Sequence, residues 1–208
     1  MKIGIITPMA EEKISLLAAL SDTKTKQHGG TEITTGRYKN HEVILTESGI
    51  GKVAAASATT VMIDNFKPDL VVNTGSAGAL DPALKIGDEV VGTRIAYSDV
   101  DVTVFGYDFG QLPNKPLYYE ADINTVADFE QLTAVKKGLI VSGDQFVQDE
   151  AKQRILSHFP DALVAEMEAA AVAQVAYQFN TPFIVLRGVS DLANGDSGVV
   201  FDDYVIEA

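Results

Sequence analysis

The stretch Pro182-Phe183-Ile184-Val185-Leu186-Arg187-Gly188-Val189-Ser190-Asp191 decides the fold of this chain. Its first five residues are an apolar run, which predicts a short buried strand. The run then delivers an arginine, a serine and an aspartate to the strand's carboxyl end, the edge where ligands bind in open α/β sheets. An acid placed there, close to a hydroxyl and a guanidinium, predicts a site of proton chemistry at Asp191.

Composition limits the function classes that this chain can belong to. The 208 residues are 46% hydrophobic and 22% charged, which predicts one globular domain over residues 1–208. Twenty-nine acids against 16 bases give a net charge of -13, and the bases are scattered, so no nucleic acid or anionic membrane is expected as a partner. Without a signal peptide or an apolar run long enough for a membrane span, we expect a cytoplasmic protein.

The order of apolar runs and helical patterns predicts an α/β architecture. Two runs separated by Lys39-Asn40 predict a hairpin, which indicates a mixed sheet. A helix apolar nearly all round is predicted from Leu163 to Phe179. Small-residue loops follow four predicted strands, and their backbones can approach a ligand closely: Thr7 to Met9, Asn73 to Gly78, Ser142 to Phe146 and Gly188 to Asp191.

Three carboxylates fall in or near these loops, and each has a functional and a structural interpretation. Glu12 could act in catalysis or simply favour the positive end of a helix dipole. Glu168 lies in an apolar segment and must be paired or hydrogen-bonded. Asp191 could be a helix N-cap instead of an acid catalyst, and Arg187 could be a buried partner of one of the acids.

The sequence favours chemistry without a metal or a cofactor. No cysteine is present, and the three histidines lack the spacing of metal ligands. Gly49-Ile50-Gly51-Lys52 is an incomplete phosphate-binding loop, and Gly75-Ser76-Ala77-Gly78 is not a dinucleotide fingerprint.

Taken together, several segments resemble the bacterial 5'-methylthioadenosine/S-adenosylhomocysteine nucleosidases of the nucleoside phosphorylase superfamily. The resemblance runs from Met1 to about Tyr204. It rests on Ile3 to Ile6, Met9 to Glu12, Glu47 to Ala54, Asn73 to Gly78, Asp101 to Thr103, Phe105 to Tyr107, Gly138 to Asp144, Glu166 to Ala169 and Arg187 to Asp191. It implies a three-layer α/β/α fold with a central mixed sheet, a homodimer, and hydrolysis of adenine nucleosides without a cofactor.

The resemblance also implies a role for each matching residue. Asp191 would protonate adenine N7, with Ser190 orienting it. Glu12 would activate the attacking water, with Ser76 and Arg187 close to that water. Such a pair follows the logic of inverting glycosidases, in which one acid protonates the leaving group and one carboxylate activates water.

The substrate-binding residues implied by the resemblance surround the same site. Glu168 and Met167 would bind the ribose, and Phe146 would stack on adenine while the Val147 backbone reads the base edge. Further substrate contacts are implied for Ser76, Ala77 and Gly78, for Ile50 and Phe201 in a pocket for the 5'-alkylthio group, and for Val102, Phe105 and Pro113 supplied by the other subunit.

Two departures from the family pattern and two rival functions stay open. Ala10 replaces an acid common in the first-turn acidic run, and the family's last helix extends beyond Ala208, so a shortened C-terminal helix is expected. The substrates implied are 5'-methylthioadenosine, S-adenosylhomocysteine and 5'-deoxyadenosine. Aminofutalosine or adenosine is an alternative substrate, and a non-catalytic nucleoside-binding protein is an alternative of another class.

Overall fold

A computed structural model describes residues 1–132, 135–195, 197–198 and 200–201. Its strands are β1 Lys2–Thr7, β2 Ser21–His28, β3 Thr31–Tyr38, β4 His41–Glu47, β5 Leu70–Ala79, β6 Glu89–Tyr97, β7 Tyr119–Glu120, β8 Lys136–Ser142, β9 Ala162–Glu166 and β10 Phe183–Asp191. Its helices are α1 Ala10–Ala18, α2 Lys52–Phe66, α3 Ile123–Leu132, α4 Asp149–His158 and α5 Ala169–Phe179.

Within these residues, ten strands form one mixed sheet, as predicted. Strand β5 pairs with β10, β10 with β6, β6 with β8, β8 with β9, and β9 again with β5. These five pairings close a ring of strands. From β5 the sheet continues through β1, β4, β3 and β2, where the predicted hairpin joins β3 to β4.

The carboxyl ends of three parallel neighbours meet at one place. Strand β5 lies between β1 and β10 and runs parallel to both. Thr7, Ser76 and Asp191 therefore lie toward the same edge of the sheet, and α1 begins three residues after β1. Strand β9 pairs with the end of β5 in the antiparallel direction, with Gly78 opposite Ala165. The residues that follow Glu166 therefore lie beside the same edge of the sheet.

Helices cover both faces of the sheet, which gives the three layers that the resemblance implies. On one face, α2 and α5 pack together over a core that includes Ile6, Ile44, Ile140 and Val185. The other face carries α4, through Ile155, and α3, through Val126, in two smaller apolar clusters.

The predicted helix from Leu163 to Phe179 is wrong in its first part. Ala162–Glu166 is strand β9, paired with β8 and β5, and helix α5 begins only at Ala169. A short apolar run fits a buried strand as well as a buried helix, and here two neighbouring strands decide between them. Glu168 consequently lies at the N-cap of α5 rather than inside a helix.

The long segment after β6 is ordered by contacts with α4. A short 3-10 turn covers Thr103–Phe105, and the Phe109 ring stacks on His158 at a centroid distance of 3.8 Å. The Arg154 guanidinium lies 5.8 Å from the centroid of the same ring. The predicted C-terminal helix lies outside the described residues from 202 onward.

Candidate active site

Asp191 is the last residue of β10, and its carboxyl group is held from two sides. Ser190 Oγ donates to Asp191 Oδ2 at 2.9 Å, and the Ala193 backbone donates to Oδ1 at 2.8 Å. Only 2% of Asp191 is exposed. A break in the β5–β10 register between Val189 and Asp191 points to a local bulge at this position. Because Asp191 ends a strand, the alternative role as a helix N-cap is not the one that the structure shows.

Glu12 occupies the first turn of α1, where its carboxylate reaches the end of β5. Ser76 donates to Glu12 Oε1 through its backbone N, at 2.9 Å, and through its Oγ, at 3.0 Å. The Met9 backbone donates to Oε2 at 3.2 Å. The carboxylate of Glu12 is therefore held by donors from β5 and from the N-cap residue of α1.

Gly75 leaves the space in which Glu12 meets Arg187. A Cβ atom on Gly75 would overlap Arg187 Nη1 and lie 3.0 Å from Glu12 Oε1. No residue with a side chain fits there without moving one of these groups. The predicted loop from Asn73 to Gly78 is instead part of β5, because pairing with β10 continues along it. The glycine at position 75 is nevertheless required by the close approach of these two groups.

Arg187 is buried and paired, as its structural interpretation anticipated. Its Nη2 donates to Asn73 Oδ1 at 2.7 Å and forms a very short contact with Glu166 Oε2. Glu166 Oε2 also accepts from the backbone N of Glu168, at 3.0 Å, and of Ala169, at 2.8 Å. Arg187 Nε and Nη1 are buried and have no hydrogen-bond partner among the described residues, which leaves donors for a ligand or a water.

Glu168 lies in the short connection between β9 and α5 and is 4% exposed. The Gly51 backbone donates to its Oε1 at 2.9 Å, and Arg187 Nη2 lies 3.5 Å from its Oε2. Burial, and next the nearby Glu166 carboxylate, raise the pKa of Glu168 to about 7, while Arg187 and the Gly51 hydrogen bond oppose that rise. Its charge therefore changes near neutral pH.

One cavity of about 140 Å³ collects most of the residues assigned to the substrate. Asp191, Ser190, Glu168 and Met167 all line it. The other predicted residues that line it are Ile50, Ser76, Ala77, Gly78, Phe146, Val147 and Phe201. Phe146 and Phe201 meet edge to face, with ring centroids 5.8 Å apart.

The remaining predicted residues lie outside this cavity. Glu12 and Arg187 line an adjoining cavity of about 440 Å³, and Ser76 lines both. Glu12 and Asp191 thus face neighbouring spaces that share one serine. Val102, Phe105 and Pro113 line neither of them, and Phe105 is 76% exposed.

Sequence reasoning missed two charged residues that build the site. The first is Glu166, which pairs with Arg187. A second acid only two residues before Glu168 was the sequence feature that could have indicated it. Lys152 of α4 donates to the backbone oxygens of Ala79, at 2.7 Å, and Leu192, at 2.8 Å, which connects the end of β5 to the residue after Asp191. No sequence pattern predicts this contact, because α4 is distant from both residues along the chain.

The described part of the chain has no cluster of three or more His, Cys, Asp or Glu side chains able to hold a metal ion. Within the same part, no helix combines the length and the apolar character that a membrane crossing requires.

Residues 2–206 match the family described as the phosphorylase superfamily. The chain belongs to this superfamily. Among its curated relatives is the 5'-methylthioadenosine/S-adenosylhomocysteine nucleosidase of Staphylococcus carnosus strain TM300, which is 46% identical over 99% of this chain and 93% of that protein.

Solved structures of superfamily members match this chain over its whole length. The S-adenosylhomocysteine nucleosidase of Streptococcus pyogenes, in complex with a methylthio-tubercidin ligand, is 44% identical, with a TM-score of 0.97 over 100% of this chain and 91% of that chain. The Streptococcus pneumoniae nucleosidase with a transition-state inhibitor is 43% identical, with a TM-score of 0.97 over 100% of this chain and 93% of that chain.

Proposed function

We propose that this chain hydrolyses the bond between adenine and ribose in 5'-methylthioadenosine and S-adenosylhomocysteine, and releases adenine. The relatives named for this activity cover nearly the whole chain. The observation that carries the proposal is that Asp191 and Glu168 line one cavity while Glu12 lines the adjoining one, where it is held by Ser76, which lines both.

Asp191 is the proposed general acid. When the bond from C1' to N9 breaks, its electron pair goes to adenine, and a proton delivered to N7 lets the base leave as a neutral molecule. Ser190 and the Ala193 backbone fix the two oxygens of Asp191, so the proton is offered in one direction. Preorganisation of this kind lowers the cost of reaching the transition state.

Glu12 is the proposed base for the water that attacks C1'. The water loses one proton to the carboxylate as its oxygen bonds to carbon. Ser76 orients Glu12 through two hydrogen bonds, and the unpaired Arg187 Nη1 offers a donor next to the same carboxylate.

Glu168 is the proposed ribose ligand, with Met167 beside it. An ionised Glu168 accepts hydrogen bonds from sugar hydroxyls, and its negative charge favours the positive charge that develops on the ring. In the same proposal, Phe146 stacks on the base beside the Val147 backbone, Ala77 and Gly78 contact the base, and Ile50 and Phe201 contact the 5' substituent. All six residues line the cavity, which supports these roles.

Hydrolysis is favoured over phosphorolysis by the residues at the attacking side. A phosphorylase needs cationic groups to hold phosphate. Here the carboxylate of Glu12 fills that side, and its second oxygen is bound by the Met9 backbone. A carboxylate repels phosphate and suits water.

A cytoplasmic homodimer is part of the same proposal. Four apolar side chains at the start of α2 and in the loop after β6 are more than half exposed, namely Ile50, Val53, Val104 and Phe105. The start of α2 and the loop after β6 are joined by the Lys52–Asp99 ion pair, so these side chains belong to neighbouring segments. A second copy of the chain would cover them and bring its own Val102, Phe105 and Pro113 to the cavity.

The direct test incubates the purified protein with 5'-methylthioadenosine in phosphate-free buffer and measures adenine release. We expect release without phosphate and without added metal, and at a rate that phosphate does not increase. No adenine, or adenine only when phosphate is present, would contradict the proposal. Aminofutalosine and adenosine are measured alongside, and faster turnover of either would reassign the substrate.

A further inference from the structure

A cluster of three charged residues lies beside the site but contributes nothing to its lining. Lys52 is the first residue of α2, and its Nζ donates to both carboxylate oxygens of Asp99 at 2.7 Å. Asp144 Oδ2 lies 3.5 Å from the same Nζ. Asp99 follows β6 and Asp144 follows β8, so one ammonium joins three separate segments.

Backbone hydrogen bonds extend this cluster. Asp144 Oδ1 accepts from the backbone N of Lys52 at 2.9 Å, and Asp99 Oδ2 accepts from the backbone N of Asp144 at 2.9 Å. Lys52 Nζ also lies 5.4 Å from the centroid of the Tyr97 ring. The two carboxylates would repel each other without the ammonium between them.

The cluster fixes the residue that contacts Glu168. Gly51 immediately precedes Lys52 and has a φ of 93°, a conformation that favours glycine. A Cβ atom on Gly51 would lie 3.3 Å from Asp144 Oδ1, so the turn packs closely against the cluster. From this position the Gly51 N–H donates to Glu168 Oε1 at 2.9 Å.

We propose that Lys52 is a positioning residue that holds the Gly51 N–H on Glu168 by binding Asp99 and Asp144 together. The inference deepens the proposed function and rests on it, because Glu168 is the proposed ribose ligand. The ammonium stays outside the cavity and acts only through the backbone of the turn.

The charge state of Glu168 gives this role a specific signature. Glu168 faces the carboxylate of Glu166 from β9, the guanidinium of Arg187 from β10, the carboxylate of Glu12 from α1 and the Gly51 N–H. The hydrogen bond from the Gly51 N–H favours the ionised form and lowers the pKa of Glu168. When Gly51 moves away, that pKa rises, and nucleoside binding requires a higher pH.

The test compares Lys52→Met, Lys52→Arg and the control Lys67→Met. Lys67 lies at the other end of α2, where it forms an exposed ion pair with Asp64. For Lys52→Met we expect the KM for 5'-methylthioadenosine to rise by about tenfold, as for a lost hydrogen bond to a charged group, with a smaller change in kcat. The acid limb of kcat/KM moves to higher pH. In Lys52→Arg, which keeps the positive charge, we expect the KM and the acid limb of kcat/KM to lie close to those of the wild type. Lys67→Met should match the wild type in both.

Binding measurements separate this role from a general loss of structure. Lys52→Met should bind a non-hydrolysable 5'-thioether adenosine analogue about tenfold more weakly but bind free adenine within about twofold of the wild type, because adenine lacks the ribose that Glu168 holds. If Lys52→Met does not fold, Asp99→Asn, which removes one charge of the cluster, carries the same test.

Three outcomes would overturn the inference. An unchanged KM and acid limb in Lys52→Met would show that Gly51 does not need the cluster. Equal losses in nucleoside and adenine binding would assign Lys52 to overall stability, and conversion to monomers during sedimentation would assign it to the subunit interface. The wild type is assayed first, because a wild type that releases no adenine contradicts the proposed function itself.

Discussion

Arg187 and Glu12 approach the same point from two different layers of the fold. Arg187 comes from β10 and Glu12 from α1, and both charged groups crowd the space that a side chain on residue 75 would occupy. Gly75 thus sets the distance between a guanidinium and a carboxylate that the mechanism needs together. Glu12 also accepts two hydrogen bonds from Ser76, the residue shared by the two cavities.

Gly75→Ala is expected to lower kcat/KM by about 100-fold, because small displacements of catalytic groups have effects of this size. The added methyl group would overlap Arg187 Nη1 and displace it or Glu12. Gly30→Ala is the matched control, since a Cβ atom there meets nothing within 4 Å. Adenine release by both variants is the measurement, and wild-type kcat/KM in Gly75→Ala would show that Arg187 and Glu12 do not depend on their spacing.

Asp191→Asn should reduce kcat by a factor of about 10² to 10⁴, the range expected for removal of a general acid. The amide keeps the size of the side chain, so the affinity for a non-hydrolysable analogue should change little. Asp161→Asn serves as a control, because Asp161 forms an exposed ion pair with Arg94. Turnover of Asp191→Asn at the wild-type rate would remove Asp191 from the mechanism.

Glu168→Gln should change how the free energy of unfolding depends on pH. In the folded protein the pKa of Glu168 is raised from 4.5 to about 7, so its stabilising contribution is complete below pH 4.5 and is lost as the pH rises through 7. Glutamine does not titrate, so the free energy of unfolding of the variant relative to wild type should increase between pH 5 and pH 8, by on the order of 2 kcal/mol. Denaturant unfolding at several pH values measures this difference.

The same variant should lose most of its affinity for nucleosides while it gains stability at high pH. A stability difference that stays constant from pH 5 to pH 8 would show that the pKa of Glu168 is not raised by folding.

Phe105→Asp is expected to weaken the proposed dimer. It should also weaken substrate binding, because each subunit is proposed to bring its Phe105 to the cavity of the other. A charge at the centre of an apolar interface is strongly unfavourable. Ile123→Asp places the same charge on an exposed apolar residue outside the proposed interface. Sedimentation should show monomers only for Phe105→Asp, together with a raised KM, and an unchanged dimer would place the interface elsewhere.

Local patterns in the sequence located three strands at the site but ended two of them too early. The predicted loops Asn73 to Gly78 and Gly188 to Asp191 are parts of β5 and β10, which pair with each other along both segments. Apolar runs before Thr7, before Asn73 and before Arg187 predicted β1, β5 and β10, and the small residues after them predicted where a ligand could approach. The error at Leu163 arose because Ala162–Glu166 carries no local signal that separates a strand from a helix. Only pairing with β8 and β5 decides it.

By itself, the sequence determined the α/β class, the mixed sheet and the residue types available for acid–base chemistry, because these follow from periodicity and composition along the chain. The tertiary structure decided which charges meet. Glu166 pairs with Arg187, Gly51 reaches Glu168, and Lys52 joins Asp99 to Asp144. Such contacts connect residues far apart in sequence, and their geometry depends on strand register and on the closed ring of strands, neither of which has a local signature.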